Sequence, residues 1–138
     1  MENLFQMNFT VQEVNAFSNT ALALVGDGVY ELLVRTYLCT QGDRTLLKLH
    51  NDTVNLVKAT TQAKFAMVLK PHFTEEEQDF FRRGKNAHTH AAPKSASPKE
   101  YALATGLETL FGALYLLGRT DRLNELFAII MDNEKASP

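Results

Sequence analysis

Apolar residues in this chain recur at three- and four-residue intervals over most of its length, and nowhere do they alternate convincingly with polar ones. That periodicity marks helices with one inward face and leaves no strands from which to build a sheet. The fold class it dictates is all-α, with about six or seven helices. At 138 residues, the chain is expected to form a single domain over residues 1–138 and to bury a core without covalent staples. The one cysteine, Cys39, excludes an intrachain disulfide and a cysteine-rich zinc site.

Helix ends can be read from their capping residues. Thr10 with Glu13 makes a capping box that opens a short helix. A long helix follows from near Thr20 to near Cys39, with Leu22, Val25, Val29, Leu32 and Leu33 on its apolar stripe and Gly42 as its stop. A short turn over Thr45–Leu49 precedes a helix capped by Asp52 that carries Val54, Leu56, Val57, Phe65 and Leu69 and closes at Pro71. Thr74 and Glu77 make a second box, with Phe80 and Phe81 inward and Gly84 at the stop. From Gly84 to Ser97 the periodicity lapses into a loop longer than most helix connections. Ser97, Pro98 and Glu100 open a helix that runs to near Gly118. The last helix covers about Asp121 to Met131, and Glu134–Pro138 are expected to fray. Met7, Met67 and Met131 suit core filling.

Three features point to chemistry. Asp27 sits mid-helix between Gly26 and Gly28, where each glycine costs roughly 1 kcal/mol relative to alanine. Glycines there permit a neighbouring backbone or a ligand to approach, although a solvated Asp beside packed glycines would look the same. Glu31 lies one turn further on. Glu108 lies in the apolar segment LETLFGALYLL, with Gly112 one turn on. It either joins a polar stripe with Thr105 and Thr109 or needs a partner, because a lone carboxylate is rarely buried. Two such carboxylates from separate helices would make a hard-oxygen site for Mg²⁺ or Mn²⁺. Such an ion stabilises a phosphate undergoing displacement.

The third feature is a basic stretch. Residues 82–99 hold Arg82, Arg83, Lys85, Lys94 and Lys99 and no acid, in a chain of net charge −2. A basic loop on an acidic body is a footprint for a polyanion, and Asn86, Thr89 and Ser95 add neutral donors. His88 and His90 read as loop residues, since spacing of two without cysteines is weak for a metal. No basic residue precedes Arg35, and the longest apolar runs, Ala21–Val25 and Leu110–Leu117, are far too short to span a bilayer. A cytoplasmic protein without a membrane partner is expected.

At these residues the chain resembles a known family. ALALVGDGVYE is similar to the signature helix of the ribonuclease III domain, and GLETLFGALYLLGR to its second acidic helix. TTQAKFAMVL, FTEEEQDFFRRGKNAHTHAAPK and the closing RLNELF resemble the small subfamily called Mini-ribonuclease III. The resemblance implies a ribonuclease III endonuclease domain that works as a homodimer and hydrolyses double-stranded RNA with Mg²⁺. It implies Asp27 as the catalytic aspartate and Glu108 as the second-helix metal ligand. Full-length enzymes carry two further carboxylates, where this chain has Ala23 and Thr105. Too few residues follow Arg119 for a separate RNA-binding domain, so RNA grip is expected from the loop of about 83–97, through Arg83, Lys85, Asn86 and Lys94. The role implied is maturation of the large-subunit ribosomal RNA precursor, with a ribosomal protein as a candidate cofactor.

The alternative is a catalytically inactive double-stranded-RNA-binding or ribosome-assembly module, motivated by Ala23 and Thr105. A nucleotide pyrophosphohydrolase would need paired E-x-x-E and E-x-x-D patterns, which are absent as a set.

Overall fold

Thr10, Ser18, Thr45, Thr74 and Ser97 each accept a hydrogen bond from the backbone N–H three residues on, and each thereby starts a helix. The computed structural model describes residues 1–87 and 95–136. Among them are seven α-helices: α1 (Val11–Asn15), α2 (Asn19–Thr40), α3 (Leu46–Val57), α4 (Ala59–Leu69), α5 (Glu75–Lys85), α6 (Pro98–Leu116) and α7 (Thr120–Ala136), with a short 3₁₀ turn at Lys70–His72. No strand occurs among the described residues.

α6 is the axis of the molecule. Leu103, Leu107, Leu110, Phe111, Leu114 and Leu116 are all buried, because α2, α4, α5 and α7 pack around it. A helix apolar on every side is stable only when covered on every side. The N-terminal segment closes one end, where Phe9 N–H donates to the Leu116 carbonyl at 2.9 Å. Gly118 has φ 78° there, and a Cβ on it would stand 2.3 Å from the Met7 carbonyl oxygen, so glycine is required twice over.

Several local expectations are corrected. The helix expected from Asp52 to Leu69 is two helices, broken at Lys58, whose ψ of 153° is extended. Asp52 caps nothing; it lies inside α3 and pairs with Arg44 at 3.0 Å and Lys48 at 2.8 Å. Gly84 does not stop α5, which runs one residue further with Gly84 buried inside it. The inward row of α2 is Leu22, Gly26, Tyr30, Val34 and Leu38, leaving Leu32 55% exposed. Residues 134–136 do not fray, since α7 reaches Ala136 and Glu134 pairs with Lys64 at 3.0 Å. Met131 is buried and Met7 packs on the core, but Met67 is exposed.

Candidate active site

α2 and α6 cross in backbone contact. A Cβ on Gly26 would lie 1.6 Å from the Glu108 carbonyl oxygen, and one on Gly112 would lie 2.0 Å from that of Leu22. Any side chain at either position forces the helices apart, which accounts for two of the mid-helix glycines. Gly28 takes no part in this contact, since a Cβ there would meet nothing within 4 Å. It instead lines an apolar groove with Val25, Val29, Leu32, Leu33 and Phe5.

The crossing brings Asp27 beside Glu108. Asp27 is exposed and Glu108 half-buried, so the pair sits at the mouth of the crossing. Their carboxyl groups are within hydrogen-bonding reach of one another. Burial, then the neighbouring Asp27 charge and hydrogen bond, push Glu108 up to about 8, with Gln62 pulling the other way. None of the ion pairs among the described residues involves either carboxylate. Glu31, one turn from Asp27, pairs instead with Arg35 at 3.2 Å.

Two carboxyls this close need a proton or a cation between them. Their oxygens are the hard donors that Mg²⁺ or Mn²⁺ prefers, and Asp27 is exposed to the solvent from which such ions keep their waters. The pair therefore fits a divalent ion. No group of three or more His, Cys, Asp or Glu side chains suited to a metal occurs among the described residues. At position 105 the threonine hydroxyl donates to its own helix, to the Tyr101 carbonyl at 2.9 Å.

Two neighbours were not singled out by sequence. Tyr30, on the inward row of α2, donates its hydroxyl to the Leu56 carbonyl at 2.6 Å and packs on Phe111 at 5.9 Å between ring centroids. Burial, then the charges of Glu108 and Glu134, hold its phenol protonated. Gln62 on α4 reaches Glu108 from the third side. The available signal was an amide among Ala63, Phe65, Ala66 and Leu69 on a buried helix face.

The root of the basic loop is close by. α5 meets α6 where a Cβ on Gly84 would fall 2.2 Å from Thr109 Oγ1, one position along α6 from Glu108. Arg83 donates to the Phe17 carbonyl and to Asn19, tying α5 to the start of α2. Lys85 shares a shallow polar pocket with Lys70 and Arg82. Asn86 caps α5 and is exposed. His88, Thr89, His90 and Lys94 lie outside the described residues. No helix among the described residues is long and apolar enough to cross a membrane.

Comparison with known proteins agrees with this all-helical fold. The Ribonuclease III domain family matches residues 20–119. A Mini-ribonuclease 3 from Clostridium tetani is 38% identical over 125 residues, covering 90% of this chain and 83% of that protein. A Mini-ribonuclease 3 from Symbiobacterium thermophilum is 47% identical over 111 residues, covering 80% and 85%. The crystal structure of a Fusobacterium nucleatum protein superposes with a TM-score of 0.79 at 29% identity, covering 88% of this chain and 98% of that one.

Proposed function

The chain belongs to the ribonuclease III domain family and is an endoribonuclease, and from that premise we propose that it cuts double-stranded RNA with Mg²⁺ held by Asp27 and Glu108. Its substrate in this reading is the large-subunit ribosomal RNA precursor, met in the cytoplasm, with a ribosomal protein as a candidate accessory. The observation that carries the proposal is the contact of two carboxylates, unpaired by any Lys or Arg among the described residues, where α2 and α6 touch.

The bound ion supplies charge neutralisation and Lewis acidity at the scissile phosphate. The protein's own part is to hold both carboxylates in one place and to give up the Glu108 proton as the ion arrives. Gly26 and Gly112 fix the spacing, since the helices cannot slide apart without losing backbone contact. Lys85 and Asn86 at the end of α5 and Lys94 beyond it hold backbone phosphates, and Arg83 both roots the loop and adds charge to its base. A-form RNA is gripped through phosphates and 2′-hydroxyls, so this needs no base readout.

The protein acts as a homodimer joined through the apolar groove of α2, with one duplex across both subunits and one strand cut by each. Leu24 is 74% exposed and Leu32 55% exposed on this helix, which favours a covered surface. Leu32→Glu is expected to convert a dimer into a monomer in sedimentation velocity. A wild type that sediments as a monomer at micromolar concentration overturns the dimer.

The deciding experiment for the active site is duplex cleavage by wild type with Mg²⁺, wild type with EDTA, and Asp27→Asn. Cleavage should require the ion and fall at least about a thousandfold in the variant, roughly 4 kcal/mol of barrier. Asp27→Asn cutting at the wild-type rate refutes the assignment. Duplex binding without turnover by the wild type points to the inactive RNA-binding module.

A further inference from the structure

Gln62 is 3% exposed, on the face of α4 that also buries Ala63, Phe65, Ala66 and Leu69. A buried primary amide must place two N–H donors and an acceptor oxygen. One donor is accounted for: Nε2 donates to the Val57 carbonyl at 2.8 Å, across the break between α3 and α4. The side chain also stands against the Glu108 carboxylate as a donor to it. Its Oε1 is buried and accepts no hydrogen bond, although such groups are almost always satisfied in folded proteins. The amide that leaves this oxygen without a partner is the same one that reaches Glu108, which no Lys or Arg pairs among the described residues.

Building on the metal-dependent reading above, we propose that Gln62 is the positioning residue of the site: Val57 anchors its amide, and the amide orients the Glu108 carboxylate that, with Asp27, would hold the ion. The neighbouring break supplies a rigid base for this. Thr61 Oγ1 donates to the Asn55 carbonyl at 2.6 Å and the Tyr30 hydroxyl to the Leu56 carbonyl at 2.6 Å. Three consecutive carbonyls, at 55, 56 and 57, are thus each held by a side chain. Outer partners that orient a ligand typically carry 10- to 100-fold in metal affinity or activity.

The test is Mn²⁺ binding to the RNA-free protein, read as loss of the free-ion electron paramagnetic resonance signal, with circular dichroism reporting the fold. Gln62→Met keeps the volume and removes the amide; it should weaken Mn²⁺ about tenfold and lower kcat more than it raises KM. Thr61→Val removes a neighbouring pin of the same bend and should leave Mn²⁺ affinity within about twofold. Unchanged Mn²⁺ affinity in a folded Gln62→Met, or an equal loss in Thr61→Val and Gln62→Met, reduces Gln62 to a structural role and leaves the metal-dependent reading standing. A wild type that binds no Mn²⁺ overturns both together.

Discussion

Glu77 and Glu108 are two carboxylates drawn into the interior of one small domain, and the fold treats them in opposite ways. Glu77, on α5, is 2% exposed. Arg122 reaches it from α7 with Nε at 2.8 Å and Nη2 at 2.9 Å, and the Thr74 N–H donates at 2.9 Å. Burial alone would raise its pKa, but the Arg122 and Thr74 hydrogen bonds prevail and bring it below the usual carboxylate value. Glu108, on α6, is less deeply buried yet stands beside a second carboxylate, in no ion pair among the described residues, and is pushed up to about 8. The difference teaches that burial alone does not set the state of a carboxylate. The partner does: Glu77 meets a guanidinium, whereas Glu108 meets a second carboxylate.

Exchanging each acid for its amide breaks the comparison most directly. Glu108→Gln should lose cleavage on the order of a thousandfold while stability is unchanged or rises by about 1 kcal/mol, because a strained functional group is relieved. Glu77→Gln should do the reverse. It strands the Arg122 guanidinium and costs about 2–3 kcal/mol, at the lower end for buried pairs because Arg122 is 24% exposed. Activity per folded molecule should stay near wild type. Denaturant unfolding and single-turnover cleavage on both variants separate the two roles, and a Glu77→Gln enzyme that folds normally but does not cut would erase the distinction.

The pH dependence sharpens it. The folded protein holds the Glu108 proton up to about 8, whereas the unfolded chain releases it near 4.5. Between those values the folded state binds more protons, so metal-free stability should decline as pH rises from about 5 to about 8. Glu77 runs the other way: its contribution is present above the ordinary carboxylate value and is lost as pH falls through its lowered one. Guanidinium unfolding with EDTA at pH 5.5 and pH 8 should show the decline in wild type and not in Glu108→Gln. Equal slopes in the two proteins would remove Glu108 as the source.

The smallest effect concerns the cations that do not reach Glu108. Arg122 sits on its carboxylate, whereas Lys85 stands at the end of α5, at the root of the basic loop, and is in no ion pair among the described residues. Lys85→Ala with Lys94→Ala should weaken duplex binding and lower the slope of log affinity against log salt by about one to two. Fluorescence anisotropy across a salt series measures it, and an unaltered slope would move RNA to another face.

Much of this was readable from local signals. The capping boxes at Thr10, Thr74 and Ser97 are where the residues require them, since a cap involves only a few neighbouring residues. The break at Lys58 is hidden because the apolar period runs on through it. Gly84 reads as a stop because glycine ends helices more often than it packs inside them. Arg83 reads only as a cation of the basic loop because nothing nearby in the chain announces that Phe17 and Asn19 will receive it.

The sequence by itself determined the helical class, the helix starts, the two carboxylates and the charge of the loop, because each depends on residues within a turn or two of one another. The tertiary structure alone decided that Gly26 meets Glu108 and Gly112 meets Leu22, that Gln62 comes up beneath the pair, and that Arg122 satisfies Glu77 from 45 positions away. Those contacts depend on how close two helices remote in the chain can approach. That distance is set by which side chains, or which missing ones, stand between them.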